Sequence, residues 1–287
     1  FIEDIECNGS KTPIYLVHRK YRHVRTNIVF SDNKILSNFV EKLAQKCGKY
    51  VSYANPLLDG RLPDSSRVNA TYTQDISSRG PTFTIRKFTK EPWTPIKLID
   101  FRTLSPEILA YLWLLMEYGT NIMVIGATAS GKTSFLNAIS FFIPPQSRIV
   151  SIEDTRELQL MHENWLPSVA RAGIGLAAGK SHGAITIFEL LKESFRQRPD
   201  YIIVGEIRGK EAFVLFQAAA SGHPIMGTMH AEDVGTMMRR LETPPISLSP
   251  SLIESLDAVC VMSQAEVGKK VTRRLREVSE IVHLTSK

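Results

Sequence analysis

The sequence has little cysteine and no long apolar run, and both absences narrow what the chain is. Its 287 residues include three cysteines, Cys7, Cys47 and Cys260, which are isolated and form no CxxC pair. This spacing gives no indication of a disulfide framework or a zinc site, and it fits a reducing cytoplasm. The longest apolar stretch, Ile108–Met116, is about half as long as a membrane-spanning helix must be.

The sequence also lacks an initiator methionine and a secretory leader. It begins at Phe1 with no charged segment and apolar core behind it, so we expect it to be part of a longer protein. Basic residues outnumber acidic ones by 35 to 29, giving a net charge of +6 and a pI of about 9.2. Such a charge permits an anionic partner such as nucleotide, nucleic acid or anionic lipid. Taken alone, it fits an ordinary basic protein equally well.

The spacing of apolar residues predicts two α/β domains. Residues 1–92 predict a small domain with an amphipathic helix over 32–46 and strands at 13–17, 26–30, 67–72 and 82–88. A linker is predicted at 93–97. Residues 98–287 alternate helices with strands, which predicts a mostly parallel sheet with helices on both faces. Within this domain, the segment 158–180 is predicted to be irregular.

A glycine-rich segment between a predicted strand and a predicted helix matches the pattern G-x-x-x-x-G-K-[ST] at every fixed position. It consists of Gly126, Ala127, Thr128, Ala129, Ser130, Gly131, Lys132 and Thr133. Backbone N–H groups of such a loop point at phosphate oxygens, together with the N-terminus of the following helix. Lys132 supplies positive charge to the β- and γ-phosphates, and the Thr133 hydroxyl is a ligand for Mg²⁺. We therefore predict a RecA-like P-loop NTPase domain that binds a nucleoside triphosphate.

Three polar clusters follow predicted strands, at the sheet edge where ligands bind in open α/β folds. Glu153 and Asp154 leave one strand together, and we expect them to hold Mg²⁺ or orient the attacking water. Glu206 ends a second strand and is the predicted general base. His230 ends a third strand, where we expect it to contact the γ-phosphate or a neighbouring carboxylate. The alternative for His230 is a purely structural histidine.

The strand before Glu206 departs from the usual Walker-B pattern. Gly205 stands where such strands end in Asp, and Asp200 lies at the opposite end of the strand. Mg²⁺ would then be held by Thr133, nucleotide oxygens and water, with carboxylates reaching it through water. Glu206 would be available as the base. The alternative is a structural carboxylate paired with Arg208.

These clusters, in this order, resemble the motor ATPases of type II and type IV secretion, type IV pili and the archaellum. The Walker A, Asp-box, atypical Walker-B and His-box motifs of that family align with Gly126–Thr133, Glu153–Asp154, Asp200–Glu206 and Gly222–His230. The resemblance implies ATP hydrolysis with Mg²⁺, a homo-hexameric ring and conversion of hydrolysis into interdomain motion. It also implies a membrane platform protein as partner, and a cytoplasmic place at the inner face of the cell membrane.

The resemblance further implies that basic residues of the N-terminal domain contact the nucleotide, and Arg67 and Arg86 match those positions. If strands 67–72 and 82–88 form a symmetric hairpin, the two arginines lie opposite one another at its open end. Because two opposed cations repel, we interpret a bound anion as the reason for the pair. The alternative is two solvated arginines.

The subfamily and the partner leave alternatives open. The Glu153–Thr155 sequence and the strand Thr84–Phe88 look more like the archaeal pilus and archaellum enzymes. A type IV secretion ATPase that moves DNA or protein effectors is one alternative, and a RecA-like nucleic-acid motor or a scaffold with negligible turnover is another. The basic run His18–Arg25 contains an aromatic residue, but we expect a solvated loop or protein contact there and no nucleic acid.

Overall fold

An antiparallel sheet is followed by a mostly parallel one, which confirms the predicted α/β class. The computed structural model describes residues 2–18, 20–88, 91–171, 176–177, 180–181, 183–267 and 270–283. The chain divides into two units, Phe1–Lys90 and Glu91–Lys287. Within the described ranges, no helix is both long and apolar enough to cross a membrane.

The first unit is a six-stranded antiparallel sheet with one helix. Its elements are β1 (Ile2–Cys7), β2 (Pro13–His18), β3 (Arg22–Val29), α1 (Asn33–Lys46), β4 (Leu57–Arg61), β5 (Arg67–Thr71) and β6 (Thr82–Arg86). The strand order is β3-β2-β1-β6-β5-β4. The side chain of Asp32 caps α1 by accepting the backbone N–H of Ile35 at 2.9 Å. The apolar face of α1 then packs on Phe83 and Ile85 of the sheet.

The predicted helix and four of these strands are confirmed, but sequence alone did not indicate β1 and β4. β1 carries three acidic residues among six, and β4 contains Asp59 and Gly60. Acidic residues and glycine are depleted in strands, so the local pattern is weak. Both strands form because neighbouring strands supply their hydrogen-bond partners.

The second unit contains a seven-stranded sheet in the order β15-β14-β7-β13-β12-β8-β9. Every neighbouring pair is parallel except β14 and β15. Its elements are α2 (Pro95–Asp100), α3 (Pro106–Glu117), β7 (Ile122–Gly126), α4 (Lys132–Ile139), β8 (Ile149–Glu153), β9 (Trp165–Val169), β10 (Leu176–Ala177), β11 (Lys180–Ser181), α5 (Ile187–Ser194), β12 (Tyr201–Ile207), α6 (Glu211–Ala220), β13 (Ile225–Met229), α7 (Val234–Glu242), α8 (Pro250–Ile253), β14 (Ala258–Val267) and β15 (Lys270–Glu280).

Helices cover both faces of this sheet, as predicted. Met123 and Ile125 of β7 face one core, which contains side chains of α5 to α8. Ile122 and Val124 face the other core, which contains side chains of α2, α3 and α4. Because successive side chains of a strand alternate between faces, one buried strand supplies both cores.

One prediction in this unit is wrong. The segment 158–180 contains β9, which pairs in parallel with β8 along Trp165–Val169. This strand lies at the sheet edge, is half-buried throughout and includes Pro167. An edge strand tolerates proline and shows no clean alternation, so its pattern resembled a loop. Residues 172–175 and 178–179 of the segment lie outside the described part of the chain.

The segment 93–97, interpreted as a linker, contains the start of a helix. Thr94 accepts the backbone N–H of Lys97, and α2 begins at Pro95. Leu98 is buried in the core of the second unit. The domain boundaries at residues 92 and 98 therefore stay predictions.

Candidate functional site

Four neighbouring strands of the second unit end at one edge of the sheet. They are β7, β13, β12 and β8, and all run parallel. The phosphate loop follows β7, His230 follows β13, Glu206 lies in the last two residues of β12, and Glu153 ends β8. Parallel strand ends meet at the same edge, so residues from four distant sequence segments face one site.

The phosphate loop bends sharply between β7 and α4. Gly126, Ala129 and Gly131 have φ angles of +156°, +60° and +91°. A side chain at Gly126 would place its Cβ 2.3 Å from the carbonyl oxygen of Met262 and 2.5 Å from Ser130 Oγ. No side chain fits at that separation, so the loop requires glycine at its first position.

The β14–β15 hairpin supports this loop from the side. Gln264 Nε2 donates to the carbonyl oxygen of Ala129 at 2.8 Å, and Arg273 Nε donates to the same oxygen at 3.0 Å. These two bonds hold the left-handed Ala129, a conformation that costs free energy for any residue with a side chain. Neither Gln264 nor Arg273 was predicted from the sequence, because no local pattern relates Ala129 to a hairpin so distant along the chain.

Lys132 is buried at the start of α4, with 7% of its surface exposed. Its Nζ donates to the carbonyl oxygens of Gly126 at 3.1 Å and Ala127 at 2.9 Å. Burial lowers the pKa of Lys132, and the charge of Glu206 opposes that shift. Thr133, the predicted Mg²⁺ ligand, is the next residue of the same helix turn and is half-buried.

His230 lies between Lys132 and Glu206. Its Nδ1 is 3.2 Å from Lys132 Nζ, and its Nε2 is 3.2 Å from Glu206 Oε1. An ammonium group only donates, so Nδ1 accepts and Nε2 carries the proton that points at Glu206. Burial, and then the charge of Lys132, lowers the pKa of His230, which favours this neutral form. His230 thus contacts a neighbouring carboxylate, one of the two contacts expected for it, and its role in the reaction stays a prediction.

Glu206 also contacts Arg208, whose Nη2 lies 2.6 Å from Glu206 Oε2. Burial raises the pKa of Glu206, but Arg208, His230 and Lys132 together hold it below its ordinary value. The other guanidinium nitrogen of Arg208 lies 3.3 Å from Asp154 Oδ2. The pairing we considered as the alternative for Glu206 is therefore present beside the contact to His230.

Glu153 is buried, with 2% of its surface exposed. Its Oε1 accepts the backbone N–H groups of Glu157 at 2.8 Å and Leu158 at 3.0 Å. A side chain at Gly205 would place its Cβ 2.9 Å from Glu153 Cγ. The Glu153 side chain thus occupies space that the usual Walker-B aspartate would need. This explains the departure at Gly205 that the sequence displays but does not account for.

The residues present fit Mg²⁺ only together with nucleotide oxygens. Among the described residues, no group of three or more His, Cys, Asp or Glu is placed to hold a metal ion. Mg²⁺ commonly takes few protein ligands and completes its octahedron with phosphate oxygens and water. The Thr133 hydroxyl and the Glu153 carboxylate offer oxygen atoms, the kind of ligand that Mg²⁺ prefers. Asp154 instead contacts Arg208.

Two further features of the candidate site were not predicted from the sequence. Arg240 of α7 donates from Nη1 to the carbonyl oxygen of His230. A cavity of about 360 Å³ opens beside Glu206 and His230, and Arg208, Arg240 and Ile246 are among its lining residues. It leaves room for water next to the candidate base.

Arg67 and Arg86, in the first unit, lie directly opposite each other in the β5–β6 pair, as predicted. Both arginines have carboxylate partners in the structure, so their repulsion no longer requires an anion, and the contact to the nucleotide stays a prediction. Arg67 makes two hydrogen bonds to Asp59, at 2.9 and 3.1 Å, and Arg86 lies 3.6 Å from Asp4. Carboxylates on the flanking strands already offset the repulsion, so the pair by itself gives no evidence of a ligand.

The geometry of the second unit defines a class, the P-loop NTPases, with an atypical Walker-B strand. The profile of the type II/IV secretion system protein family matches residues 8–277, and the chain belongs to this family. The resemblance stated from the motifs is thereby confirmed.

Relatives of this chain span archaeal and bacterial proteins. An uncharacterized protein of Methanocaldococcus jannaschii is 43% identical over 281 residues, covering 98% of this chain and 50% of that protein. The chain therefore spans half the length of that relative. The type IV secretion system protein PtlH of Bordetella pertussis is 30% identical over 271 residues, covering 82% of this chain and 78% of PtlH.

Solved structures of a pilus retraction motor and of an ATPase have the same fold. The pilus retraction motor PilT with bound ADP matches with a TM-score of 0.68 at 18% identity, covering 99% of this chain and 80% of PilT. The ATPase DotB of Legionella pneumophila also matches with a TM-score of 0.68, at 21% identity, covering 98% of this chain and 77% of DotB. At such identities the likeness concerns the fold alone.

Proposed function

We propose that this chain is the ATP-hydrolysing motor of a type II/type IV secretion, pilus or archaellum assembly machine. The observation that carries the proposal is the contact series from Lys132 through His230 to Glu206, at 3.2 Å each. It links the predicted phosphate-binding lysine to a carboxylate that lines a cavity with room for water. A nucleotide-dependent scaffold without turnover would not need that link.

In this proposal, phosphate binding, Mg²⁺ binding and proton acceptance are divided among different groups of the site. The loop amides and Lys132 bind the phosphates, and Thr133 with Glu153 hold Mg²⁺, which neutralises charge on the phosphate oxygens when bound. Glu206 accepts the proton of the attacking water. His230 holds Glu206 through its Nε2 hydrogen and keeps Lys132 close, so binding and proton acceptance lie in one hydrogen-bonded group.

The motor role rests on family membership. We propose a homo-hexamer that passes interdomain motion to a membrane platform protein, with the archaeal pilus or archaellum type as the first candidate. The relative from Methanocaldococcus jannaschii supports the archaeal type, and PtlH keeps type IV secretion open. Arg67 and Arg86 are included as nucleotide contacts on the strength of the family resemblance alone.

Phosphate release by the purified chain with ATP and Mg²⁺ tests the enzyme assignment, and Lys132→Ala tests the site. We expect Lys132→Ala to lose most ATP affinity in calorimetry, because loop amides alone cannot offset the triphosphate charge. Lys192→Ala is the matched control, since this exposed lysine contacts Phe188. Undiminished ATP binding by Lys132→Ala would contradict the site. Turnover stimulated by nucleic acid with a steep salt dependence would favour a nucleic-acid motor.

A further inference from the structure

Arg208 is placed to fix the orientation of the candidate base. Glu206 is held at both oxygens, by His230 at Oε1 (3.2 Å) and by Arg208 at Oε2 (2.6 Å). A carboxylate has about four lone-pair positions, so two such contacts set its plane and still leave positions for a water. Losing either contact would let the carboxylate rotate.

The arginine is itself held in place at both ends. The backbone N–H groups of Arg208 and Gly209 donate to Glu211 Oε1 at 2.6 and 2.8 Å, which fixes the chain after β12. At the other end, Asp154 Oδ2 receives the second guanidinium nitrogen at 3.3 Å. Asp154 directly follows β8 and Arg208 directly follows β12, so the ion pair joins the ends of two neighbouring strands.

A role in stability alone does not account for this arrangement. The side chain of Arg208 is 63% exposed and that of Asp154 is 45% exposed. Exposed ion pairs of this kind add about 0–1 kcal/mol to stability. The orientation of the Glu206 carboxylate depends on the geometry of its hydrogen bond to Arg208. Solvent screening, which weakens the ion pair, does not change that geometry.

We propose that Arg208 is a positioning residue for Glu206, and that Asp154 acts on the reaction by holding Arg208 and not as a Mg²⁺ ligand. The proposal rests on the function proposed above. It replaces the metal role predicted for Asp154 with one that the contacts of the described residues support.

Steady-state kinetics of Arg208→Gln and Arg208→Lys test the first part. We expect Arg208→Gln to lower kcat by up to about 10²-fold, as small misplacements of a reacting group do, with an unchanged KM for ATP. Arg208→Lys should recover part of the loss, because an ammonium group still reaches one oxygen. Arg196→Gln is the matched control, since this exposed arginine pairs only with Glu193 among its described contacts, and its kcat should be unchanged. An unchanged or raised kcat in Arg208→Gln would overturn the proposal.

A double-mutant cycle with Asp154→Asn tests the second part. If Asp154 acts through Arg208, Asp154→Asn lowers kcat in the wild type and has no effect in the Arg208→Gln background. The calorimetric Kd for ADP with Mg²⁺ should not change in Asp154→Asn. A weaker Kd, or an equal loss of kcat in both backgrounds, would restore the metal role and overturn the proposal.

A crystal structure of Arg208→Gln gives an answer that does not depend on turnover. We expect the Glu206 carboxylate to rotate away from His230 Nε2. If the 3.2 Å contact persists, Arg208 does not position Glu206. Failure of the proposed function would instead leave the wild type without ATP hydrolysis, so the two failures are distinguishable.

Discussion

Charged side chains form separate ion pairs in the first unit and one connected series of contacts in the second. In the antiparallel sheet of the first unit, Arg61, Arg67 and Arg86 lie in register on three neighbouring strands. Arg67 pairs with Asp59 and Arg86 with Asp4. These carboxylates lie on the same sheet, and the ion pairs are substantially exposed.

The parallel sheet of the second unit brings together groups from strand ends that are far apart in the sequence, and Lys132, His230 and Glu206 among them are at least partly buried. Lys132, His230, Glu206, Arg208 and Asp154 form one continuous series of contacts. The pKa values of Lys132, Glu206 and His230 are all lowered within it. Groups that share contacts and are partly buried alter one another's pKa values.

Breaking the arginine pair of the first unit has the largest expected effect. If Arg67 and Arg86 act on the nucleotide as the family resemblance implies, the double variant Arg67→Ala/Arg86→Ala should lose about 10³- to 10⁵-fold in kcat. ATP binding through the phosphate loop should persist. Single-turnover hydrolysis and calorimetry measure the two quantities separately. Lys87→Ala, which removes another cation of the same unit, is the control. Wild-type turnover in the double variant would mean that the exposed arginines serve only their own carboxylates.

Breaking the network of the second unit comes next in size. Glu206→Gln keeps the shape and removes the base, so kcat should fall by about 10²- to 10⁴-fold while ATP with Mg²⁺ still binds. The same assay on Glu153→Gln separates the two carboxylates. Near-normal turnover in Glu206→Gln combined with a large loss in Glu153→Gln would transfer the role of base to Glu153.

The third prediction concerns the packing of Gly205 against Glu153 and its effect on the free energy of unfolding. Gly205→Ala places a Cβ 2.9 Å from Glu153 Cγ, and overpacking of this kind costs about 1–3 kcal/mol in the free energy of unfolding. Urea unfolding measures the cost. In a Glu153→Ala background the same change should cost much less, because the colliding atom is gone. Equal costs in both backgrounds would show that Glu153 is not the reason for glycine at this position.

An exposed pair of the first unit gives the smallest expected effect. Asp64 contacts Lys87 at 2.7 Å, and this hydrogen bond lowers the pKa of Asp64 from 3.8 to about 2. A carboxyl whose pKa is lower in the folded chain stabilises the fold above its unfolded pKa. The contribution is lost as the pH falls through the folded value. Asp64→Asn should therefore cost less than about 1 kcal/mol at neutral pH.

Chemical unfolding of wild type and Asp64→Asn at several pH values checks this sign. The difference in unfolding free energy should be constant above pH about 4 and shrink between about pH 4 and pH 2. A difference that grew on acidification would contradict the assignment. If the Asp64–Lys87 pair contributed nothing measurable to the free energy of unfolding, the contrast between exposed ion pairs of the first unit and the connected network of the second unit would be larger.

Sequence alone predicted the elements whose signals are local. The phosphate loop, the capped helices α3 and α5 and the alternating strands β5 and β6 depend on residues a few positions apart, and the structure has all of them. β9 was missed because an edge strand with Pro167 has no alternation to detect. The support of Ala129 by Gln264 and Arg273 was missed because the contact depends on sheet order.

The sequence by itself determined the α/β class, the phosphate loop and the identity of Glu206 and His230 as strand-end residues, since spacing within one element carries that information. Only the tertiary structure decided which groups meet. It placed His230 between Lys132 and Glu206, gave Arg67 and Arg86 their own carboxylates, and showed why position 205 is glycine. The physical reason is that strand order and packing set the distances between segments far apart in the chain, and no local pattern encodes those distances.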